Sequence, residues 1–188
     1  VTASLLEGLS YGAGDAVLGL NPAIDNVKST TDILNLFNDV KSRLKIPTQI
    51  CVLSHITTQL KALKSGAPMD LCFQSIAGSE KALASFGTDV DMLAEANELM
   101  ASKGTSIGPN YIYFETGQGS ELSSNSHNGA DQLVMESRCY GLARHYNPFL
   151  VNTVVGFIGP EYIYDTKELI RAALEDNFCG HMHGLPMG

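Results

Sequence analysis

The chain has 188 residues, 44% of them hydrophobic and 17% charged, and a net charge of -8, enough apolar material for one sizeable core and a composition that excludes disordered and collagen-like segments. The acidic balance offers no cationic face to phosphates, which argues against duplex nucleic acid and anionic membrane surfaces as partners. No apolar run reaches the roughly 20 residues that a bilayer demands, and VTASLLEGLS carries neither the basic nor the apolar block of a signal peptide, so a cytoplasmic protein is expected.

In chain order, the first apolar run is DAVLGLN (15–21), nearly continuous as in a strand buried on both faces. Ile33, Phe37, Val40 and Leu44 then recur at helical spacing and predict one buried stripe. TQICVLS (48–54) predicts the second strand; Ile56, Leu60 and Leu63 predict a shorter helix that ends at Gly66. After the third strand, DLCFQSI (70–76), Thr88 before Asp91 marks a helix start and Gly104 its end. NYIYFET (110–116) is the fourth strand. His127 stands where the next helix would begin, and Met135, Cys139, Leu142 and Tyr146 form its stripe. LVNTVVGF (150–157) is the fifth. Asp165 and Glu168 resemble a capping box for a last helix, with Ile170, Ala173, Leu174 and Asn177 as its buried stripe and Gly180 as its end. Pro47, Pro109 and Pro148 each fall just ahead of a strand, where a missing N–H harms no ladder. Cys51, Cys72, Cys139 and Cys179 share no CxxC spacing and read as reduced, apolar filler.

Five βα units without an obvious linker predict an α/β protein with a parallel sheet, a single domain over 1–188. Such units close into a barrel or form a doubly wound sheet, and spacing alone does not choose between them. Five are too few for an eight-stranded barrel, the chain starts without methionine, and GLPMG reads like the approach to another strand; a fragment is expected.

Chemistry in parallel βα proteins gathers at the carboxyl ends of the strands. Those ends carry Asn21 with Pro22, Ser54 with His55, Gln74 with Ser75, Glu115 with Thr116, and Gly156 with Phe157. The set is mostly neutral, with one carboxylate. Glu115, after the apolar YIYF, needs a cation or several donors, which a bound ammonium or a structural partner could supply equally well. Asn21 can offer a donor and an acceptor to a hydroxylated ligand, or simply shape the turn before Pro22. TGQGSELSS is no P-loop; its two glycines permit close approach of a large ligand or a plain connection. His181 and His183 form HxH, a pair that could ligate zinc on a strand but is solvated at a helix end. None of the eight lysines lies at a strand end, there is no GxSxG elbow, and only Glu161 could pair with Glu115. A mouth of amides and one carboxylate orients a small polar molecule but supplies no nucleophile, so a cofactor would carry the chemistry.

GLSYGAGDAVLGLNP, LCFQSIAGSEKA, YIYFETGQGSELSS, ESRCYGLAR and NTVVGFIGPEY together resemble the large subunit of ethanolamine ammonia-lyase, end to end of these 188 residues. The resemblance implies part of an eight-stranded (β/α)8 TIM barrel. It also implies adenosylcobalamin (coenzyme B12) as cofactor, ethanolamine as substrate, and radical conversion to acetaldehyde and ammonia. The partners it implies are an ethanolamine ammonia-lyase small subunit and a homo-oligomer of large subunits, within a bacterial microcompartment. Carried over by position, Asn21 and Glu115 are substrate-binding and catalytic, Phe157 packs against the substrate cavity, and Pro22, Gln74 and Ser123 approach the cobalamin. Further substrate-contacting residues are expected outside residues 1–188, so the fragment is expected to be inactive alone. A metal-dependent TIM-barrel hydrolase using HxH and a non-catalytic assembly element are the competing readings.

Overall fold

The computed structural model describes residues 1–13, 17–158 and 161–188. Its elements run α1 (Thr2–Ser10), β1 (Val17–Leu20), α2 (Val27–Leu44), β2 (Gln49–Val52), α3 (Ile56–Lys64), β3 (Cys72–Ile76), α4 (Glu80–Ser85), α5 (Val90–Lys103), β4 (Ile112–Gly119), α6 (Gln132–His145), β5 (Leu150–Val155), β6 (Phe157–Ile158), β7 (Glu161–Tyr162) and α7 (Thr166–Met182). The α/β alternation expected from the sequence is present, with parallel pairing of β1 with β2 and of β4 with β5, and a sheet order β3-β4-β5. The chain divides into two compact units, Val1–Phe73 with Glu95–Tyr111, and Gln74–Ala94 with Ile112–Gly188.

In the first unit every residue of β2 is buried, as a strand covered on both faces should be. The corresponding expectation for DAVLGLN is met only at Leu18, and Asp15 and Ala16 lie outside the described residues. Helix α2 starts where the Asn26 side chain accepts from Ser29 N–H, and it ends at Lys45 in the left-handed region, φ 53°. Phe37 and Val40 bury as the spacing predicts, joined by Leu34, whereas Leu44 is exposed in the last turn. Ile56, Leu60 and Leu63 are all buried, and Gly66 follows α3 at φ 91°. Gln59, also buried, binds the carbonyls of Ser54 and Phe73 through Nε2 and accepts from Phe73 N–H, tying the two strand ends together. Helix α5 begins on Asp89, whose side chain accepts from Met92 N–H; the predicted cap, Thr88, is instead buried.

In the second unit β4 and β5 pair from Tyr113 with Leu150 to Thr116 with Thr153, and a register shift separates Thr116 from Gly119. Val151 also bridges Met187 in parallel, so GLPMG does approach the sheet as an incipient strand. Helix α6 buries Met135 and Cys139 as expected. The predicted fifth strand stops at Val155, and Phe157 opens the short β6–β7 hairpin instead. Helix α7 starts on Asp165, which accepts from Lys167 and Glu168 N–H as the capping pattern predicts. Its predicted stripe is wrong, because Ile170 and Leu174 are more than half exposed. The side turned inward is instead the Asp176–Gly180 line, where Tyr140 Oη donates to the Asp176 carbonyl at 2.7 Å. Gly180 sits inside the helix rather than ending it, with the Met187 side chain packed where its Cβ would be, Sδ 2.3 Å away. All four cysteines are free thiols, three of them buried.

Candidate functional site

Strand β4 builds the site. Its side chains alternate, so Tyr113 and Glu115 share one face while Phe114 and Thr116 share the other. Glu115 is half-buried and in register with Asn152. Ser75, on β3, donates from Oγ to Glu115 Oε2 at 2.9 Å, and the buried Gln74 donates from Nε2 to the Ser75 carbonyl at 2.9 Å. Asn152 Nδ2 donates to Tyr113 Oη one step back along the same face. Ser75 thus touches the carboxylate directly, while Asn152 and Tyr113 share its strand face.

The TGQGSELSS loop leaves β4 as a closed, self-bonded structure. Ser120 Oγ donates to the Gly117 carbonyl at 2.6 Å, and Ser123 Oγ to those of Gly117 at 2.5 Å and Gln118 at 2.7 Å. Ser123 is therefore fully buried, its hydroxyl committed to the loop's own main chain. The glycines are explained the same way: a Cβ on Gly117 would meet the Phe86 ring at 2.4 Å, and one on Gly119 the Val154 carbonyl at 2.1 Å. Phe157 packs edge-on against Tyr162 at 5.3 Å across the β6–β7 hairpin. In the first unit, Asn21 is exposed just after β1, with Pro22 half-buried beside it. An apolar cavity of about 420 Å³ in that unit, lined by Leu5, Leu9, Leu18, Leu20 and Phe37 among others, does not include Asn21.

Behind β4, against α6, lies a polar cluster that the sequence reading missed. Gln118 Oε1 accepts from Gly78 N–H at 2.9 Å, and its amide nitrogen approaches His127 Nε2 at 3.5 Å. His127 Nε2 donates to Gln132 Oε1 at 2.7 Å, and Gln132 Nε2 donates to Glu136 Oε1 at 3.3 Å. His127 is thus a buried member of this cluster, with α6 beginning five residues later on the Asp131 cap. Burial pushes the Glu136 carboxyl up to about 8; the Thr116 hydroxyl pulls it down and the nearby Asp176 adds to the rise. Asp176 is pushed up to about 6, again chiefly by burial, opposed by its hydrogen bond with Gln132 and reinforced by Glu175 and Asp131. Among the described residues, the buried Glu136 Oε2 and Asp176 Oδ2 have no hydrogen-bond partner. The signal was present in the sequence: Gln132 and Glu136 fall on the same helical stripe as Met135 and Cys139, and polar residues on a buried stripe must be hydrogen-bonded to one another or to neighbours.

His181 lies exposed in the last turn of α7 and His183 caps it, its ring 5.7 Å from that of Tyr140. Among the described residues no group of three or more His, Cys, Asp or Glu is placed to hold a metal ion, and no helix is long and apolar enough to cross a membrane.

With this geometry in place, comparison with known proteins is decisive about kinship. The family model described as ethanolamine ammonia lyase large subunit (EutB) matches residues 1–188. The chain belongs to that family. It is 55% identical over 188 residues to the ethanolamine ammonia-lyase large subunit of Salmonella typhimurium and 54% identical to that of Escherichia coli K12. Each match takes in 100% of this chain but 42% of the relative, so the chain spans less than half the length of these large subunits.

Proposed function

We propose that this chain is a central portion of the catalytic large subunit of an ethanolamine ammonia-lyase, converting ethanolamine to acetaldehyde and ammonia with adenosylcobalamin. The observation that carries the reading is the end-to-end 55% identity to such a large subunit. In this reading residues 1–188 are one incomplete domain, five βα units of a (β/α)8 barrel completed by the rest of the subunit. A small subunit and further large subunits are its partners, and a bacterial microcompartment its setting. The portion alone is inactive.

The residues fit the assignment chemically. Glu115 receives one hydroxyl, from Ser75, on Oε2, which leaves Oε1 able to accept from an ammonium or a hydroxyl. A half-buried carboxylate with a single neutral donor gains from a bound cation, and ethanolamine carries one. Asn21 offers a carboxamide to the same class of ligand, and Phe157, edge-on to Tyr162, an apolar wall. Gln74, by its amide, and the turn around Ser123, by its main chain, are neutral groups of the kind that suits the amide-fringed corrin ring, and in the first unit Pro22 is likewise neutral. Adenosylcobalamin, when bound, supplies the radical that removes hydrogen from the hydroxyl-bearing carbon of the substrate. The protein's own part is to hold the amino alcohol in one orientation, to follow the shift of charge with the amine using fixed dipoles, and to keep out water.

The test uses the complete large subunit with its small partner, adenosylcobalamin and ethanolamine, following acetaldehyde. Glu115→Gln is expected to lower turnover by about a hundredfold or more, the scale of losing a charge that orients the reacting group, while cobalamin affinity stays nearly unchanged. Near-normal turnover in that variant would reject the role given to Glu115.

A further inference from the structure

The strand that presents Glu115 on one face carries a chain of buried side chains on the other. Gln118, three residues beyond Glu115, is fixed at its oxygen by Gly78 N–H, and its amide meets the His127 ring. That ring is buried, its Nδ1 faces the Ser124 carbonyl at 3.4 Å, and its Nε2 is held by Gln132 at 2.7 Å. Gln132 belongs to the first turn of α6 and is itself held by Glu136 one turn on. His127 is therefore the junction at which the end of β4, the loop after it and the start of α6 are joined. The loop's internal bonds, Ser120 and Ser123 to the Gly117 and Gln118 carbonyls, close it upon itself; the histidine links it to the helix through Gln132, beside the Asp131 cap.

We propose that His127 is a positioning residue of this enzyme: by its hydrogen bond to Gln132, with the Gln118 amide packed against the same edge of the ring, it fixes the 117–131 loop and the last residues of the strand that carries Glu115. The inference rests on the reading of Glu115 and Ser123 given above, but the device itself is a property of this chain. With its N–H on Nε2 the ring donates to Gln132 Oε1 at 2.7 Å, the shorter of its two polar contacts; an apolar ring of the same size donates nothing. Burial of the whole chain matters because each of these hydrogen bonds is then sheltered from competing water, and loss of one leaves a partner unsatisfied. Glu136, the neutral acid at the far end at pH 7 because burial pushes it up to about 8, adds no charge that would draw water in.

The experiment compares His127→Phe, His127→Gln and Gln132→Met in the complete large subunit assembled with its small partner, without cofactor, by amide hydrogen exchange. A glutamine amide takes the place of the imidazole Nε2–H, whereas phenylalanine keeps only the volume. His127→Phe is expected to speed exchange of the 117–131 amides about tenfold or more, the effect of losing one sheltered hydrogen bond, with little change in β5 or α7. Gln132→Met is expected to do the same, and His127→Gln to restore most of the protection. With adenosylcobalamin and ethanolamine, His127→Phe should lower turnover in step with the exchange, and His127→Gln should recover it. Unchanged exchange in 117–131 for both His127→Phe and Gln132→Met overturns the proposal, as does a rise spread over the whole subunit in all three variants. If the unaltered complex releases no acetaldehyde, the functional reading fails while the exchange result still decides the role of His127.

Discussion

Two fully buried carboxylates, one in each unit, meet opposite treatment. Asp70, on the approach to β3, receives Lys41 Nζ at 2.5 Å and Ile50 N–H at 2.9 Å on Oδ2, and Thr105 Oγ1 at 2.7 Å on Oδ1. Glu136, on α6, receives one amide at 3.3 Å on Oε1 and is near the Thr116 hydroxyl, but among the described residues it meets no cation and its Oε2 has no hydrogen-bond partner. Burial is the same, so the partners make the difference: a cation and two donors compensate the Asp70 side chain inside the protein, while the sparsely bonded Glu136 is pushed toward its protonated form. The ion pair ties α2 to the start of β3; the neutral acid ends a relay of amides. The same residue class thus serves as a fixed charge in one place and as an uncharged polar filler in the other.

The sharpest way to break this comparison is to remove the cation. Lys41→Met leaves Asp70 buried with its charge uncompensated and is expected to destabilise the subunit by about 3–5 kcal/mol, measured by urea unfolding at pH 7. Combining it with Asp70→Asn should recover much of the loss, because an amide needs no counter-charge. A loss no larger than that of a surface ion pair, such as Lys28 with Asp32, would mean that Asp70 does not depend on Lys41.

The second test acts on the other member. The folded carboxyl of Glu136 lies near 8, above its ordinary value of 4.5, so the folded state binds a proton that the unfolded chain gives up. Its contribution is fully present below the unfolded value and is lost as pH rises through the folded one, by about 1.4 kcal/mol per pH unit in between. Glu136→Gln removes that dependence. It is expected to flatten the fall in stability from pH 5 to 8, as read from unfolding midpoints over that range, and to be the more stable form at pH 8. Asp176, raised toward 6, adds a smaller slope of the same sign that the variant retains. An unchanged pH slope would show that Glu136 is ionised in the folded protein.

These contrasts also explain what the sequence made legible. Strand β2 was readable because burial on both faces leaves a continuous apolar run, and the Asp165 cap because its partners are two and three residues away. The α7 stripe was misread because apolar spacing shows that a face exists, not which side of the helix meets the sheet; Tyr140 and Met187, distant in sequence, settle that. The sequence places Glu115 at a strand end, but β4 runs on to Gly119 and holds it mid-strand; the link through Gln118, His127 and Gln132 was not legible, since it depends on a loop folding back upon a helix. The glycines of TGQGSELSS were readable as places of close approach, but what approaches them, Phe86 and the Val154 carbonyl, is tertiary.

The smallest effect completes the series with a carboxylate that is neither buried nor paired with a cation. Asp165 is exposed and accepts from Lys167 N–H at 2.9 Å and Glu168 N–H at 3.1 Å, two of the four amides that the first turn of α7 leaves without helical partners. Water can replace these bonds at modest cost, so Asp165→Ala is expected to destabilise by about 1 kcal/mol, against several for Lys41→Met. Because the charge also favours the positive end of the helix, Asp165→Asn should retain most of the cap and lose only the electrostatic part, a few tenths of a kcal/mol that shrinks as salt is raised. Equal losses for alanine and asparagine, measured by urea unfolding at low and high salt, would show that charge rather than the hydrogen bonds holds the start of α7. In that case exposure would no longer separate Asp165 from Asp70, and the field of the helix itself would join the partners in setting the role of each carboxylate.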